Sequence, residues 1–227
     1  MLSKLSIIIP CLNEEAVIRP LLLSLQSARE RGVELVVVDG GSKDSTVQVV
    51  GSLVDEVLVT TPGRACQMNA GALVAKGDVL WFLHADSGVK DEYPALLLNA
   101  LVDSSASWGR FDVTLSGSQK LLRVIEFMMN WRSRLTGIVT GDQGVFIKKS
   151  LFQQVGGFPD LPLMEDIQLS TLLRKKHARP LALRERLITS SRRWEQVGIV
   201  RTVLLMWRLR LAFFFGVDAN QLARRYR

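Results

Sequence analysis

Two aspartates each follow a strongly apolar segment. In many α/β proteins, the residues just after such segments bind ligands. Residues 79–83 are all apolar and lead to Asp86, and residues 35–38 lead to Asp39. Apolar runs of this length are typical of buried strands in a parallel sheet, and open sheets bind ligands just beyond the carboxyl ends of their strands. Asp86 would therefore either hold a divalent cation with a bound diphosphate or cap the helix that follows.

A third acidic position lies in the second half of the chain, where Glu165 and Asp166 begin a segment of helical pattern. The positive end of a helix stabilises an ionised carboxylate, and a carboxylate held in place can accept a proton during a reaction. The residues alone leave two interpretations open for Asp166, which are a general base and an ordinary helix start.

The first 60 residues alternate between strand and helix patterns. Asn13 is a good N-cap, and we predict that it opens a helix that ends near Gly32. The β-α-β-α-β order predicts a parallel sheet with right-handed crossovers. The predicted strands are residues 5–9, 34–39 and 56–60, and a second helix is predicted over residues 45–53.

Beyond residue 60 the alternation is less regular, although further elements follow from apolar periodicity. With 227 residues, of which 48% are hydrophobic and 22% charged, the chain is expected to form one soluble α/β domain. The predicted helices are residues 65–75, 91–102, 119–135, 164–176 and 199–215, and the predicted strands are residues 79–86, 108–115, 145–147 and 181–187.

Two cysteines, Cys11 and Cys66, are too few for a disulfide framework or a zinc site, so we expect a reduced cytoplasmic location. No signal-peptide pattern is visible, and no uncharged apolar run reaches the roughly 18–20 residues that a membrane span needs.

The net charge of +7 is distributed unevenly along the chain. Residues 1–103 contain 8 Lys and Arg against 13 Asp and Glu, whereas residues 104–227 contain 21 against 9. The acidic half suits a cation site, and the basic half suits an anionic ligand such as a diphosphate or a lipid headgroup. Nucleic acid is not expected as a partner, because no recognition motif appears and aromatic residues are few.

Five segments, in order, resemble those of family 2 glycosyltransferases of the GT-A fold, and within that family the short bacterial branch called radical-SAM/selenodomain-associated transferases. Gly40 and His84 depart from the family pattern, since each stands where an aspartate is usual. The segments are residues 6–15 with Pro10, Asn13 and Glu14, residues 38–46 (similar to VDDGSxDxT), residues 84–86 (metal motif), Glu165-Asp166 (the ED pair), and Arg193-Trp194 (the end of QxxRW).

The resemblance implies a GT-A, Rossmann-like single domain with a mainly parallel central sheet flanked by helices. It implies an inverting transfer of sugar from a nucleoside-diphosphate sugar, with UDP expected before GDP and with Mn²⁺ or Mg²⁺ as cofactor. Residues 1–104 would form the nucleotide-sugar-binding half, residues 105–198 the acceptor half, and residues 199–227 a C-terminal helix and basic tail.

The resemblance also assigns roles to single residues. Asp166 is the expected catalytic base, and Asp86 is the expected metal ligand, with His84 expected not to bind the metal. Four of these roles have a plainer alternative. Asp39 could cap the turn after its strand, Arg64 could be solvated in a loop, Glu14 could cap a helix, and Trp194 could belong to the core. The residues expected to bind the nucleotide-sugar and its cation are Pro10, Asn13, Glu14, Asp39, Arg64, Asp86, Arg193 and Trp194.

Two other functions are alternatives to sugar transfer. A sugar nucleotidyltransferase should carry a glycine-rich loop after the first strand, and residues 11–15 contain no glycine. A non-catalytic nucleotide-sugar-binding protein would account for Gly40 and His84.

The helix predicted over residues 199–215 also has two interpretations. It either closes the domain or offers a basic, aromatic face to a membrane and a lipid-linked acceptor. The basic tail 224–227 would strengthen attraction to the inner face of a membrane.

Overall fold

Alternate side chains of the central strands pack on opposite faces of one sheet. Ile7 and Ile9 belong to one apolar cluster, and Ile8 between them belongs to a second. The computed structural model describes residues 3–176 and 179–226, except for the side chain of Arg193. Within these residues seven strands form a single sheet, and helices cover both of its faces.

The strands are β1 (Leu5–Cys11), β2 (Glu34–Asp39), β3 (Glu56–Val59), β4 (Val79–Phe82), β5 (Trp108–Leu115), β6 (Phe146–Lys148) and β7 (Leu181–Thr189). The helices are α1 (Ile18–Ser24), α2 (Gln26–Glu30), α3 (Thr46–Val50), α4 (Arg64–Val74), α5 (Tyr93–Asp103), α6 (Lys120–Thr136), α7 (Lys149–Val155), α8 (Glu165–Lys176), α9 (Arg192–Val197), α10 (Ile199–Phe214) and α11 (Ala219–Tyr226). Short 3₁₀ turns cover Gly51–Leu53 and Gly141–Gln143.

The strand order is β3-β2-β1-β4-β6-β5-β7. Only β6 runs against its neighbours within the described sheet, so the mainly parallel α/β architecture that we expected is confirmed. From β1 the chain first builds β2 and β3 on one side and then returns through α4 to place β4 on the other side. This reversal makes the carboxyl ends of β1 and β4 the preferred place for a ligand.

The helix expected to begin at Asn13 begins instead at Ile18, after a turn. Asn13 has a positive φ of 55°, and its side-chain oxygen accepts a hydrogen bond from the backbone N–H of Lys43 at 2.8 Å. The carboxylate of Glu15 accepts the N–H of Ser45, just before α3, at 2.8 Å. Asn13 and Glu15, which follow β1, therefore cap the loop and the helix that follow the neighbouring strand β2. They do not cap α1, the next helix along the chain.

Most other predicted elements lie within a few residues of those found, with three differences. The strand predicted up to Asp86 ends at Phe82, because the chain turns where the N–H of Ser87 donates to the carbonyl of His84 at 3.1 Å. The helix predicted up to Gly32 is divided at Leu25 into α1 and α2. Helices α7, α9 and α11 were not predicted, since their apolar patterns are short.

Candidate active site

A cavity of about 670 Å³ opens at the carboxyl ends of β1 and β4, a volume typical of small-molecule sites. One wall comes from the ends of these strands and the start of α4, and the opposite wall comes from α6 and α10. The predicted site residues that line the cavity are Pro10, Glu14, Arg64, Asp86 and Trp194, together with His84.

Three predicted residues, Asn13, Asp39 and Asp166, do not line this cavity, and the side chain of Arg193 lies outside the described part of the structure. The neighbouring Arg192, which was not a predicted site residue, lies close to two residues that were predicted. Its guanidinium lies 3.5 Å from a carboxylate oxygen of Glu14 and 3.8 Å from one of Asp86. Burial and the nearby Asp86 raise the pKa of Glu14 above its usual value.

The carboxylate of Asp86 faces the cavity with about a quarter of its side chain exposed. Among the residues that the structure describes, no three His, Cys, Asp or Glu side chains gather into a ready metal site. One carboxylate nevertheless fits a cation such as Mg²⁺, which usually takes one or two protein carboxylates and fills its other positions with phosphate oxygens and water. Asp86 can therefore hold a cation that arrives with a diphosphate.

His84 is turned towards the loop that precedes β6. Its Nδ1 lies 3.4 Å from a carboxylate oxygen of Asp142, and a Cβ at Gly141 would lie only 2.5 Å from its Nε2. The imidazole thus packs on the bare Cα of Gly141, so any larger residue at that position would have to displace the ring. His84 connects the loop after β4 to the turn Gly141–Gln143.

Asp39 is almost fully buried, and the turn that follows it occupies its carboxylate. One oxygen accepts the backbone N–H groups of Gly41 and Ser42, each at 2.8 Å, and the other accepts the hydroxyl of Ser42. This geometry matches the capping interpretation of Asp39. Its contact with a nucleotide stays a prediction.

The unusual Gly40 has a physical reason in Gln67 of α4. A Cβ at position 40 would meet the Gln67 side chain at 3.2 Å. The buried Gln67 amide donates to the carbonyls of Cys11 and Val38, each at 2.8 Å, and so links the ends of β1 and β2. Gln67 also lines the cavity, and the sequence analysis missed it.

Asp166 lies in the first turn of α8, as predicted, and holds the turn Gly141–Gln143 against that helix. One carboxylate oxygen accepts the N–H of Gly141 at 2.8 Å, and the other accepts the N–H of Ile167 at 2.7 Å. Asp166 is partly exposed, and Asp142 of the same turn lines the cavity. The acidic pair of α8 is therefore joined to the cavity through this turn.

Two arginines, Arg132 of α6 and Arg210 of α10, line the second wall of the cavity. Burial, followed by repulsion from Arg210, lowers the pKa of Arg132 to about 10. One terminal nitrogen of Arg132 donates a hydrogen bond to the carbonyl of Ile138 at 3.3 Å. Its other terminal nitrogen is buried and has no hydrogen-bond partner among the described residues. Asp142 and Asp166 offset part of this positive charge, and the two arginines can bind an anionic group in the cavity. Neither arginine was a predicted site residue.

Glu165 gives this site a pH dependence that can be measured. Burial and the neighbouring Asp166 raise the pKa of the Glu165 carboxyl to about 7. Because the folded pKa exceeds the ordinary value of about 4.3, the stabilising effect of the protonated group is complete below that value and is lost as pH rises towards 7.

We therefore expect Glu165→Gln to gain stability relative to the unmodified protein as pH rises from about 4 to 8. Chemical denaturation at several pH values measures this difference. The exposed control Glu92→Gln should show no such trend, and a pH-independent difference for Glu165→Gln would contradict the assignment.

The chain resembles known proteins in sequence and in fold. The family model described as Glycosyl transferase family 2 matches residues 6–153. The probable glycosyltransferase YdaM of Bacillus subtilis is 26% identical over 195 residues, which are 74% of this chain and 46% of that protein. The uncharacterized glycosyltransferase Rv1514c of Mycobacterium tuberculosis is 33% identical over 145 residues, or 60% and 55% of the two chains. The chain thus spans about half the length of these curated relatives.

Solved structures show the same GT-A fold. TarS residues 1–349 of S. aureus has a TM-score of 0.68 at 20% identity, covering 83% of this chain and 60% of that one. The mannosyltransferase PcManGT of Pyrobaculum calidifontis, solved with GDP-Man and Mn²⁺, has a TM-score of 0.64 at 20% identity and covers 93% and 61%. Glucosyl-3-phosphoglycerate synthase of Mycobacterium tuberculosis, solved with Mg²⁺ and UDP, has a TM-score of 0.63 at 18% identity and covers 82% and 70%.

Proposed function

The chain belongs to glycosyltransferase family 2, and we propose that it moves a sugar from a nucleoside-diphosphate sugar to an acceptor hydroxyl with inversion at the anomeric carbon. The observation that carries this proposal is the cavity at the ends of β1 and β4, where Glu14, Arg64, Asp86 and Trp194 converge. The turn that Asp166 holds adjoins the same cavity.

The leaving group in this reaction is a nucleoside diphosphate, so negative charge develops on it as the sugar departs. A divalent cation held by Asp86, Mn²⁺ or Mg²⁺, would supply charge neutralisation when bound. Arg64 lines the cavity, and Arg192 lies beside Glu14 and Asp86 of its lining, so both can stabilise the diphosphate. Trp194, whose side chain is partly buried against the cluster of Leu122 and Ile125, can pack against a sugar ring.

The acceptor hydroxyl must lose a proton as it attacks, and Asp166 is the proposed base. Direct attack from the face opposite the leaving diphosphate inverts the anomeric configuration. The acceptor would enter from the side of α6 and α10, where Arg132 and Arg210 can bind an anionic group on it.

UDP is the proposed nucleotide, because both the TarS fragment and the synthase were also solved with UDP. The GDP-Man complex of PcManGT keeps GDP as the alternative. The cytoplasmic location and the halves 1–104 and 105–198 stay predictions.

A thermal-shift experiment tests the donor half of the proposal. UDP with Mn²⁺ should raise the melting temperature more than UDP or Mn²⁺ alone, because a ligand that binds only the folded state stabilises it by mass action. ADP and CDP serve as matched controls, and GDP tests the alternative. If no nucleoside diphosphate shifts the melting temperature with either metal, the proposed donor class is wrong.

A non-catalytic donor-binding protein is the second candidate, favoured by the departures at Gly40 and His84. The two candidates differ in turnover. Slow hydrolysis of a UDP-sugar in the presence of Mn²⁺ would support the enzyme, whereas tight binding without any hydrolysis or transfer would support the binding protein.

A further inference from the structure

Two neighbouring helices carry an unusually apolar outer surface. Within the described residues, every Phe or Trp with a largely exposed side chain lies on α6, on α10 or at the end of α10. We define the apolar face as the exposed large apolar residues of these helices, which are Leu121, Val124, Phe127, Met128, Trp131, Leu135, Val200, Leu204, Trp207, Leu211, Phe214 and Phe215. Aromatic exposure at this density marks an interaction surface.

The spacing of these residues shows that each helix has two different sides. On α10 the exposed residues recur every three or four positions from Val200 to Phe214, while Ile199, Thr202 and Leu209 are buried on the other side. The two helices share an apolar cluster that includes Leu122, Ile125 and Ile199, and residues of both line the same cavity, so their outer sides are neighbours. Core packing therefore explains the inner sides of these helices, whereas the outer sides are exposed to solvent among the described residues.

The exposed charged residues of the two helices are all basic. Helix α10 contains no acidic residue and presents Arg201 and Arg208 to solvent, and α6 presents Lys120 and Arg123. The acidic residue of α6, Glu126, is buried and paired with Arg123 at 2.8 Å. An apolar, aromatic face with a basic border is complementary to an anionic lipid surface.

The apolar face also reaches the cavity. Met128 and Trp207 line the cavity and are at the same time about 44% and 58% exposed. No helix in the described ranges 3–176 and 179–226 is long and apolar enough to cross a bilayer, so the face would lie on a membrane and not in it.

We propose that the apolar face docks the protein on an anionic lipid bilayer and holds the mouth of the cavity, between Met128 and Trp207, at the membrane surface. This inference rests on the proposed function. It implies an amphiphilic acceptor that lies in the bilayer and whose hydroxyl-bearing head reaches past Arg132 and Arg210. The basic tail 224–226 adds attraction, and Arg227 lies outside the described residues.

Binding to vesicles tests the docking without any donor or turnover. The protein should sediment with vesicles of phosphatidylglycerol and phosphatidylcholine at low salt and much less with phosphatidylcholine alone. Raising salt from about 10 mM to about 1 M, which shortens the Debye length from about 30 Å to about 3 Å, should weaken binding. Failure to bind anionic vesicles at low salt would overturn the proposal and would leave the donor chemistry untouched.

Matched variants separate the apolar face from other exposed apolar residues. The triple variant Phe127→Ser, Phe214→Ser and Phe215→Ser should lower the partition coefficient at least about 100-fold, since each buried phenylalanine contributes roughly tenfold or more. The control triple Val59→Ser, Leu73→Ser and Val102→Ser changes residues of similar exposure on other elements and should bind like the unmodified protein. Equal losses in both triples would contradict the assignment.

A charge variant and a spectroscopic readout locate the contact. Arg201→Gln with Arg208→Gln should lower low-salt partitioning by roughly 30-fold, whereas Lys43→Gln with Lys90→Gln should not. Lipids with brominated chains should quench tryptophan fluorescence, and Trp131→Phe with Trp207→Phe should remove the quenching but keep binding. The proposal is also wrong if the protein dimerises through this face. In that case the phenylalanine triple is monomeric, neither the unmodified protein nor the triple binds vesicles, and the occupant of the face is a second copy of the chain.

Discussion

Asp166→Asn is expected to lower the rate of sugar transfer by roughly 10²–10⁴-fold, the usual contribution of a general base. Asparagine keeps the shape of the side chain and one oxygen that can accept the N–H of Gly141, so the turn Gly141–Gln143 should stay in place, while the hydrogen bond from the N–H of Ile167 is lost. The amide cannot take the acceptor proton. Affinity for the nucleoside diphosphate should therefore change little.

Initial rates of transfer and calorimetric binding of UDP with Mn²⁺, measured on the same preparation, check this prediction. Asp142→Asn is the matched control, because Asp142 belongs to the same turn, lines the cavity and pairs with His84. Near-normal turnover of Asp166→Asn beside a large loss in Asp142→Asn would move the base to Asp142. Lost nucleotide binding in Asp166→Asn would place that residue at the donor.

The parallel half of the sheet could be predicted because fully buried strands leave a continuous apolar run in the sequence. The apolar runs before Asp39 and Asp86 correspond to β2 and β4. Both faces of these strands are apolar because helices pack on each side of the sheet. Ligands of open sheets bind beyond the carboxyl ends of such strands. Hence the edge of the sheet where the cavity opens could be predicted from the sequence, although Asp39 does not line the cavity.

Local rules failed where a side chain has a distant competing partner. Asn13 fits the composition of an N-cap, but its oxygen binds the N–H of Lys43, 30 residues away. Gln67 lies 56 residues beyond the carbonyl of Cys11 that it binds. Nothing in the residues beside Gly40 indicates that this amide occupies the space next to it.

The side of the cavity formed by α6, α9 and α10 was harder to predict because helix orientation decides which residues face the cavity. Neighbouring residues of a helix point about 100° apart, so the approach of Arg192 to Glu14 and Asp86 depends on how α9 packs. Arg132 and Arg210 meet only because α6 and α10 pack together, and an apolar periodicity does not say that Phe127 and Trp131 face outward.

Asp86→Asn is expected to remove most of the effect of the metal on nucleotide affinity. In the unmodified protein the carboxylate of Asp86 should repel a bare diphosphate and attract a cation that carries one. Asparagine weakens the attraction and relieves the repulsion. We therefore expect UDP affinity in Mn²⁺ to fall at least about 10–100-fold, the cost of losing even an indirect partner of a metal, whereas affinity without metal should stay the same or rise.

Calorimetry of UDP with and without Mn²⁺ measures this coupling, and Mn²⁺ affinity with and without UDP must change by the same factor. Glu14→Gln is the charge-matched control, since it removes the other carboxylate beside Arg192, at 3.5 Å, and keeps the proposed ligand. If Asp86→Asn keeps the full enhancement by Mn²⁺, Asp86 does not hold the cation. If Glu14→Gln loses the enhancement equally, the effect arises from the charge around Arg192, and a direct bond between Asp86 and the metal is not needed to explain it.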